Sequence, residues 1–211
     1  MTTEARRIPL PAKVLFTAFM AVLVPTYWVN YGPTNFLYFC DVALFLTLVG
    51  IWTERPLPIA MAAAGIMLPQ MLWVADFASQ LLGSPLVGTT AYMFEPENPL
   101  FNRGLSLFHG WLPFVLLWLV WRLGYDRRGL AAWVATSWVL IVACYAWMPP
   151  PPEPGAVVDP NLPVNINYVY GLDGRQTWMP ELAWLALCML AQPLMLAGPT
   201  HLLLRRFAPR G

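Results

Sequence analysis

The sequence predicts an all-α membrane protein, and its composition and apolar segments lead to that class. Hydrophobic residues make up 58% of the 211 residues, whereas charged residues make up only 11%. The mean hydropathy is +0.55, and a soluble domain would typically carry about 25% charged residues. An apolar segment of about 20 residues is long enough to cross the hydrocarbon core as a helix. We therefore predict one membrane domain, 1–211, with six transmembrane helices over residues 14–29, 35–52, 57–82, 101–123, 130–148 and 178–204.

The positive charges predict how these helices are oriented. If the N-terminus is cytoplasmic, ten of the 12 lysine and arginine residues fall on the cytoplasmic side, and only Arg103 and Arg175 fall outside. Such an excess of cations marks the cytoplasmic loops of membrane proteins. Both termini are therefore predicted to be cytoplasmic, with external loops at 83–100 and 149–177.

Turn and proline signals separate the first three helices. The turn 31–35 is short and contains Gly32 and Pro33, so the first two helices are expected to be antiparallel neighbours. The second helix is expected to stop before Pro56, because the residue that precedes a proline is disfavoured in a helix. The third helix contains Pro69, which removes an internal hydrogen bond and predicts a kink.

The third and fourth helices each present polar residues at helical spacing, and such a face is expected to point away from lipid. On the third helix this face contains Pro69, Trp73, Asp76 and Gln80. On the fourth helix it contains Asn102, Ser106, His109 and Pro113.

The remaining segments carry weaker signals. The fifth helix is apolar except for tryptophans and is interpreted as a packing helix. Four consecutive prolines, 149–152, favour extended polyproline geometry at the start of the second external loop. Residues 164–171 alternate polar with apolar residues, and Asp173-Gly174 adds a turn signal, so a small external hairpin is one interpretation. The sixth helix passes Pro193 and Pro199 and ends at Arg205 and Arg206.

The candidate chemistry depends on depth in the membrane. At 1.5 Å per residue, Cys40 lies roughly 8 Å and His109 roughly 12 Å below the outer ends of their helices. Asp76 reaches nearly the same level, and Asp41 and Arg103 belong to the same layer. Ionisable groups inside a bilayer are costly and predict a functional site. We therefore expect a polar cavity that opens to the outer leaflet.

A cysteine, a histidine and a carboxylate at one depth suggest nucleophilic catalysis. In this hypothesis Cys40 is the nucleophile, His109 is its base, and Asp76 or Asp41 orients the imidazole. Arg103 would stabilise an anionic group of the substrate. The other predicted substrate-binding residues are Ser106, Trp73 and Gln80.

Structural interpretations of the same residues stay open. Cys40 is also interpreted as a small buried hydrophobic residue or as half of a disulfide with Cys144. His109 is alternatively a structural hydrogen-bond partner of Asp76 or Asp41 between helices. Asp76 and Arg103 are alternatively a buried ion pair.

Other classes of site are disfavoured. The three cysteines lack metal-ligand spacing, so no metal site is predicted. His201 is expected some 20 Å deeper than His109, so the two histidines cannot ligate one haem, and no cofactor is predicted. His201 is instead expected to meet phospholipid headgroups at the cytoplasmic face. No nucleotide motif or extended basic patch occurs, which argues against nucleic-acid binding.

The segments Phe39-Cys40-Asp41 and Phe108-His109-Gly110, with the helix number and topology, resemble a family of six-helix integral membrane hydrolases and acyltransferases. This family includes the androgen-induced and androgen-dependent TFPI-regulating proteins and cysteine-bearing relatives. The resemblance implies a cysteine nucleophile, a histidine base and lipid esters as substrates, but it does not supply Asp76. The stretch 35–41 also looks like segments of uncharacterised bacterial membrane proteins, which implies no activity. The expected location is a bacterial inner membrane.

Two functions therefore remain. The first is a hydrolase or acyltransferase that acts on a lipid ester or thioester at the Cys40 and His109 site. The second is a non-catalytic accessory subunit, or a protein that binds lipid or a small ligand, within a larger membrane complex. Membrane lipids are the expected partners in both cases, and the second function adds protein partners.

Overall fold

The computed structural model describes residues 8–152, 162–172 and 174–210. These ranges contain helices and no strand. The α-helices are α1 (Leu10–Tyr31), α2 (Phe39–Thr53), α3 (Pro56–Leu81), α4 (Leu100–Ser106), α5 (Phe108–Leu123), α6 (Gly129–Trp147), α7 (Glu181–Ala191) and α8 (Gly198–Phe207). Short 3-10 helices cover Pro33–Leu37, Ala91–Met93 and Ile166–Tyr168, and a π-helix covers Gln192–Ala197.

Five helical segments are long and apolar enough to span a membrane. They are Leu10–Tyr31, Pro56–Leu81, Leu100–Leu123, Gly129–Trp147 and Glu181–Phe207. The all-helical class is therefore confirmed, and the five segments agree by length and composition with a membrane protein. The sixth predicted span, α2, has 15 residues, which corresponds to about 22 Å, because residues 33–37 form a separate 3-10 helix.

Two of the long segments are interrupted where the sequence disturbs the hydrogen-bond ladder. α4 and α5 meet at Leu107, whose φ of −61° and ψ of −8° lie outside regular α geometry. α7 passes into α8 through the π-helix at Pro193, where the proline supplies no N–H. The predicted external hairpin at 164–171 is wrong, since the 3-10 helix Ile166–Tyr168 occupies that stretch. Its turn residue Asp173 lies outside the described residues.

α3 lies at the centre of the bundle, in contact with α2, α5, α6 and α8. Its middle contains three fully buried alanines, 62–64, followed by Gly65. A Cβ on Gly65 would overlap the Trp133 indole of α6, and a Cβ on Gly129 would lie 2.7 Å from that of Ala60. Small residues let membrane helices approach closely. The close contact between α3 and α6 therefore depends on glycine, which has no side chain, at positions 65 and 129.

The bundle has two distinct ends. At the end that we call the terminal end, Lys13 of α1 pairs with Glu54 at 2.6 Å, and the Tyr125 amide donates to the Pro209 carbonyl at 2.7 Å. Gly129, at the start of α6, packs against Ala60 in the first turns of α3, so α6 also begins at this end. Both ends of the described chain therefore lie at the terminal end. The opposite end, which we call the loop end, carries the turn 31–38, the loop 82–99 and the described residues of the segment after α6, 148–152, 162–172 and 174–180.

Candidate functional site

Asp76, in the last turns of α3, organises the loop end. Its side chain is fully buried and accepts five hydrogen bonds from the loop that follows. Oδ1 accepts from the amides of Val87 (2.7 Å) and Gly88 (2.9 Å). Oδ2 accepts from the Thr89 hydroxyl and from the amide and hydroxyl of Thr90, each at 2.9 Å. Asp76 thus folds residues 87–90 back over the end of α3.

Polar side chains of α1 and α4 join the two helices under this loop. The hydroxyls of Tyr27 and Ser106 lie 2.9 Å apart, and both residues are buried. One turn nearer the loops, Asn102 accepts from Asn30 at 3.0 Å and donates to the Tyr31 hydroxyl at 3.1 Å. A buried polar group must be hydrogen-bonded or it destabilises the fold. These pairs therefore fix α1 against α4.

The start of α2 is held by Asn167, in the segment between α6 and α7. Asn167, in the left-handed conformation with φ +59°, accepts from the Phe39 amide at 3.1 Å and donates to the Leu37 carbonyl at 2.9 Å. Asp41, only 2% exposed, accepts from Asn35 through Oδ2 at 3.1 Å. These contacts position Cys40 and Asp41 in the first turn of α2.

Tyr92, in the loop 82–99, lies beside the same residues. Burial raises the pKa of Tyr92 well above its usual range, and its hydroxyl lies close to Ser106, to the Trp73 indole and, farther off, to Cys40. The Trp73 indole N–H nevertheless donates no hydrogen bond to the Tyr92 hydroxyl. Tyr27 in turn lies within electrostatic range of both Asp41 and Tyr92.

These contacts define one set of residues, which we call the loop-end cluster. It contains Tyr27, Cys40, Asp41, Trp73, Tyr92 and Ser106. Its residues come from α1, α2, α3, α4 and the loop 82–99, so that only the folded bundle assembles it.

His109 borders the cluster rather than joining it to Cys40. Its ring stacks on Trp73 with centroids 5.2 Å apart, and its Nδ1 lies 2.8 Å from the Ser106 carbonyl oxygen. Neither Cys40 nor Asp41 nor Asp76 is hydrogen-bonded to His109 within the described part of the chain. The structure therefore contains the predicted residues at one end of the bundle but not the predicted hydrogen-bonded dyad.

The alternative structural pairings also differ from the observed ones. The Asp76 carboxylate accepts hydrogen bonds from residues 87–90 and forms no ion pair with Arg103. The Arg103 Nη1 instead donates to the Met93 carbonyl at 3.3 Å. The three cysteines are free thiols, which corrects the suggested disulfide between Cys40 and Cys144. Gln80 lies at the end of the same α3 face as Trp73 and Asp76, as its spacing predicts.

Four residues of the predicted site carry a buried polar atom that has no hydrogen-bond partner among the described residues. These atoms are Asp41 Oδ1, Trp73 Nε1, Gln80 Oε1 and Arg103 Nε. Most buried polar side-chain atoms in proteins do have a partner. Two of the four atoms are acceptors and two are donors.

His201 is buried at the terminal end, and its Nδ1 lies 2.9 Å from the Tyr125 hydroxyl. It therefore contacts a tyrosine of the α5–α6 turn, and its expected contact with lipid headgroups stays a prediction. Two grooves of the described chain also lie at this end, one beside the Lys13–Glu54 pair and one beside Tyr125. Neither groove is lined by a residue of the loop-end cluster.

Sequence reasoning missed several residues of the site. Tyr27 and Tyr92 were overlooked because a tyrosine near a membrane boundary is ordinarily a member of the interfacial belt. Asn167 and residues 87–90 lie in loops, where periodicity carries no information. The one available signal was the run Gly88-Thr89-Thr90, since short hydroxyl side chains and a flexible glycine suit a carboxylate-binding turn.

The fold and site define a helical protein with five segments able to span a membrane and a polar cluster at one end. Comparison with protein-family models, with curated proteins and with solved structures finds no match for this chain.

Proposed function

We propose that this chain is an integral membrane protein that binds a lipid, or a comparable small amphiphile, non-covalently at the loop-end cluster. The observation that carries the proposal is the buried Asp41, whose Oδ1 has no partner in the described chain while Oδ2 is held by Asn35. A buried carboxylate oxygen without a donor is costly. A donor on a bound ligand would remove that cost.

The chemistry of the unpartnered atoms narrows the ligand class. Within the loop-end cluster, Asp41 offers an acceptor, and Trp73 offers a donor. A hydroxyl group both donates and accepts, so a hydroxyl-bearing headgroup fits this set better than a purely anionic one. The exposed apolar residues Phe101 and Leu107 of the adjoining helix segment provide a surface for the acyl chain.

The experiment is native mass spectrometry of the full-length protein purified in mild detergent, with reloading from extracted membrane lipid. Asp41→Asn keeps an acceptor for Asn35 but turns an amide donor toward the ligand. We expect a bound amphiphile on the wild type and about tenfold lower occupancy on Asp41→Asn. Glu97→Gln, an exposed change in the first external loop, serves as the matched control and should keep the ligand. Equal occupancy in Asp41→Asn, or none on the reloaded wild type, contradicts the proposal.

A second candidate is the lipid ester or thioester hydrolase or acyltransferase, with Cys40 as nucleophile. It is favoured by one observation, that the free Cys40 thiol lies near Tyr92 and Asp41 within the cluster. The resemblance to six-helix hydrolases stays a prediction. Labelling with an acyl-type activity probe separates the candidates: Cys40→Ala should abolish labelling and Cys188→Ala should not. Equal labelling of Cys40→Ala and wild type excludes the enzyme.

The topology is part of the proposal. We infer six spans, with the terminal end cytoplasmic in a bacterial inner membrane. The inference is supported by α2, which runs from Asn167 at the loop end to Lys13 at the terminal end, and by the cation excess at the terminal end. Protein partners in a larger complex remain a prediction. Cysteine accessibility from each side of the membrane, with single cysteines at Glu97 and Arg127, tests the orientation.

A further inference from the structure

A groove of about 410 Å³ lies at the terminal end, remote from the loop-end cluster. It is lined by Tyr125, Asp126, Arg127, Arg128 and Arg210. Its shape is set by backbone contacts: the Tyr125 amide donates to the Pro209 carbonyl at 2.7 Å, and the two segments form a parallel bridge. The end of the chain is thus fixed beside the α5–α6 turn, which brings Arg210 next to Arg127.

The charged residues that line the groove differ in whether they are paired. Asp126 forms an ion pair with Arg128, which donates to both carboxylate oxygens, with Nη2 to Oδ2 at 2.7 Å. The Arg128 guanidinium also lowers the pKa of Asp126. Arg127 and Arg210 are exposed, and no ion pair within the described residues involves either. The groove therefore presents two guanidinium groups that form no ion pair with a carboxylate of the described residues.

The surroundings of the groove extend this charge and add apolar surface. Arg205 and Arg127 both lie within electrostatic range of His201, which is hydrogen-bonded to Tyr125 in the wall of the groove. On the same helix, α8, the exposed side chains of Leu202, Leu203 and Phe207 face outward. A phosphate group beside apolar chains matches this combination of cations and apolar surface.

We propose that this groove is a binding site for the phosphate of an anionic phospholipid, with Arg127 and Arg210 as the direct ligands. Arginine suits this role because its planar guanidinium can donate two hydrogen bonds to a phosphate. The lipid would hold the C-terminal segment against the α5–α6 turn. The site is independent of the loop-end cluster and of the ligand proposed there.

The test is a titration of detergent-solubilised full-length protein with short-chain phosphatidylglycerol, with phosphatidylcholine and inorganic phosphate as parallel probes. We expect phosphatidylglycerol to bind more tightly than phosphatidylcholine, with inorganic phosphate not competing at equal concentration. The double variant Arg127→Gln with Arg210→Gln should weaken phosphatidylglycerol binding by at least about tenfold. Arg55→Gln, which removes an exposed cation at the same end but outside the groove, should leave it unchanged.

A second variant gives a change in the opposite direction, which misfolding cannot mimic. Asp126→Asn keeps an acceptor for the Arg128 amide but releases its guanidinium, so phosphatidylglycerol should bind more tightly than to the wild type. Equal binding of the two phospholipids, equal competition by inorganic phosphate, or an unchanged affinity in the double variant would each overturn the proposal.

Discussion

The two ends of this bundle handle polar groups in opposite ways. At the loop end, Asp76, Ser106 and Asn167 are buried, and each is satisfied by hydrogen bonds to a loop or to another helix. At the terminal end, the arginines are mostly exposed, and the Arg128–Asp126 pair joins two residues that lie two positions apart in the sequence.

The difference shows where polar residues contribute to stability and where they contribute to recognition. A buried hydrogen bond to a charged group contributes about 1.5 to 3 kcal/mol, whereas an exposed ion pair contributes about 0 to 1 kcal/mol. Substitutions at the loop end should therefore reduce stability, and substitutions at the terminal end should chiefly alter the interaction with anionic partners.

The largest effect is expected for Asp76→Ala. The change leaves five donors of residues 87–90 without their acceptor, and Thr90 is fully buried. We expect a loss of about 3 kcal/mol in the free energy of unfolding, measured by denaturant titration in mixed micelles. Glu95→Ala removes an exposed carboxylate from the same loop and should change stability little. If Asp76→Ala and Glu95→Ala were similarly stable, Asp76 would not be the anchor of the loop.

A smaller effect is expected for the Tyr27–Ser106 pair between α1 and α4. Tyr27→Phe alone, or Ser106→Ala alone, should lower the free energy of unfolding by about 1 kcal/mol. Each change leaves the remaining buried hydroxyl without its hydrogen-bond partner. The double variant should cost less than the sum of the two single changes, since both remove the same hydrogen bond. Strict additivity in the same unfolding assay would show that the two hydroxyls do not interact, and Ser84→Ala in the exposed loop provides the control.

The smallest effect is expected for Glu54→Gln at the terminal end. The Lys13–Glu54 pair is only partly shielded, with side chains 14% and 26% exposed. Its loss should cost less than about 1 kcal/mol, and the cost should shrink at high salt because of ionic screening. A cost as large as that of Asp76→Ala, or one insensitive to salt, would contradict the contrast between the two ends.

The inward faces of α3 and α4–α5 were predictable from spacing. Trp73, Asp76, Asn102 and Ser106 are all buried, because a helical repeat places such residues on one side and hydrocarbon excludes them from the other. The short length of α2 was not predictable from hydropathy. Residues 35–38 are as apolar as a helix start, yet the 3-10 helix and the Asn167 contacts, which depend on a distant loop, define where α2 begins.

The pairing of the polar groups was also beyond sequence reasoning. Equal depth suggested that Asp76 meets His109 or Arg103, but depth does not specify the direction in which a side chain points around the helix. Asp76 meets the loop 87–90, which immediately follows its own helix, while Trp73 lies between α3 and His109. The hydrogen bond between His201 and Tyr125 of the α5–α6 turn was likewise not predictable from the depth of His201 in its helix.

The sequence by itself determined that this is a helical membrane protein, which faces of its helices point inward, and which loops collect the arginines. These properties follow from the cost of placing polar and charged groups in hydrocarbon, which acts on each segment separately. Only the tertiary structure decided which carboxylate anchors a loop, which polar atoms are left without a partner, and which arginines line a common groove. Those properties depend on distances between segments remote in the chain, and a single sequence does not encode such distances in any local pattern.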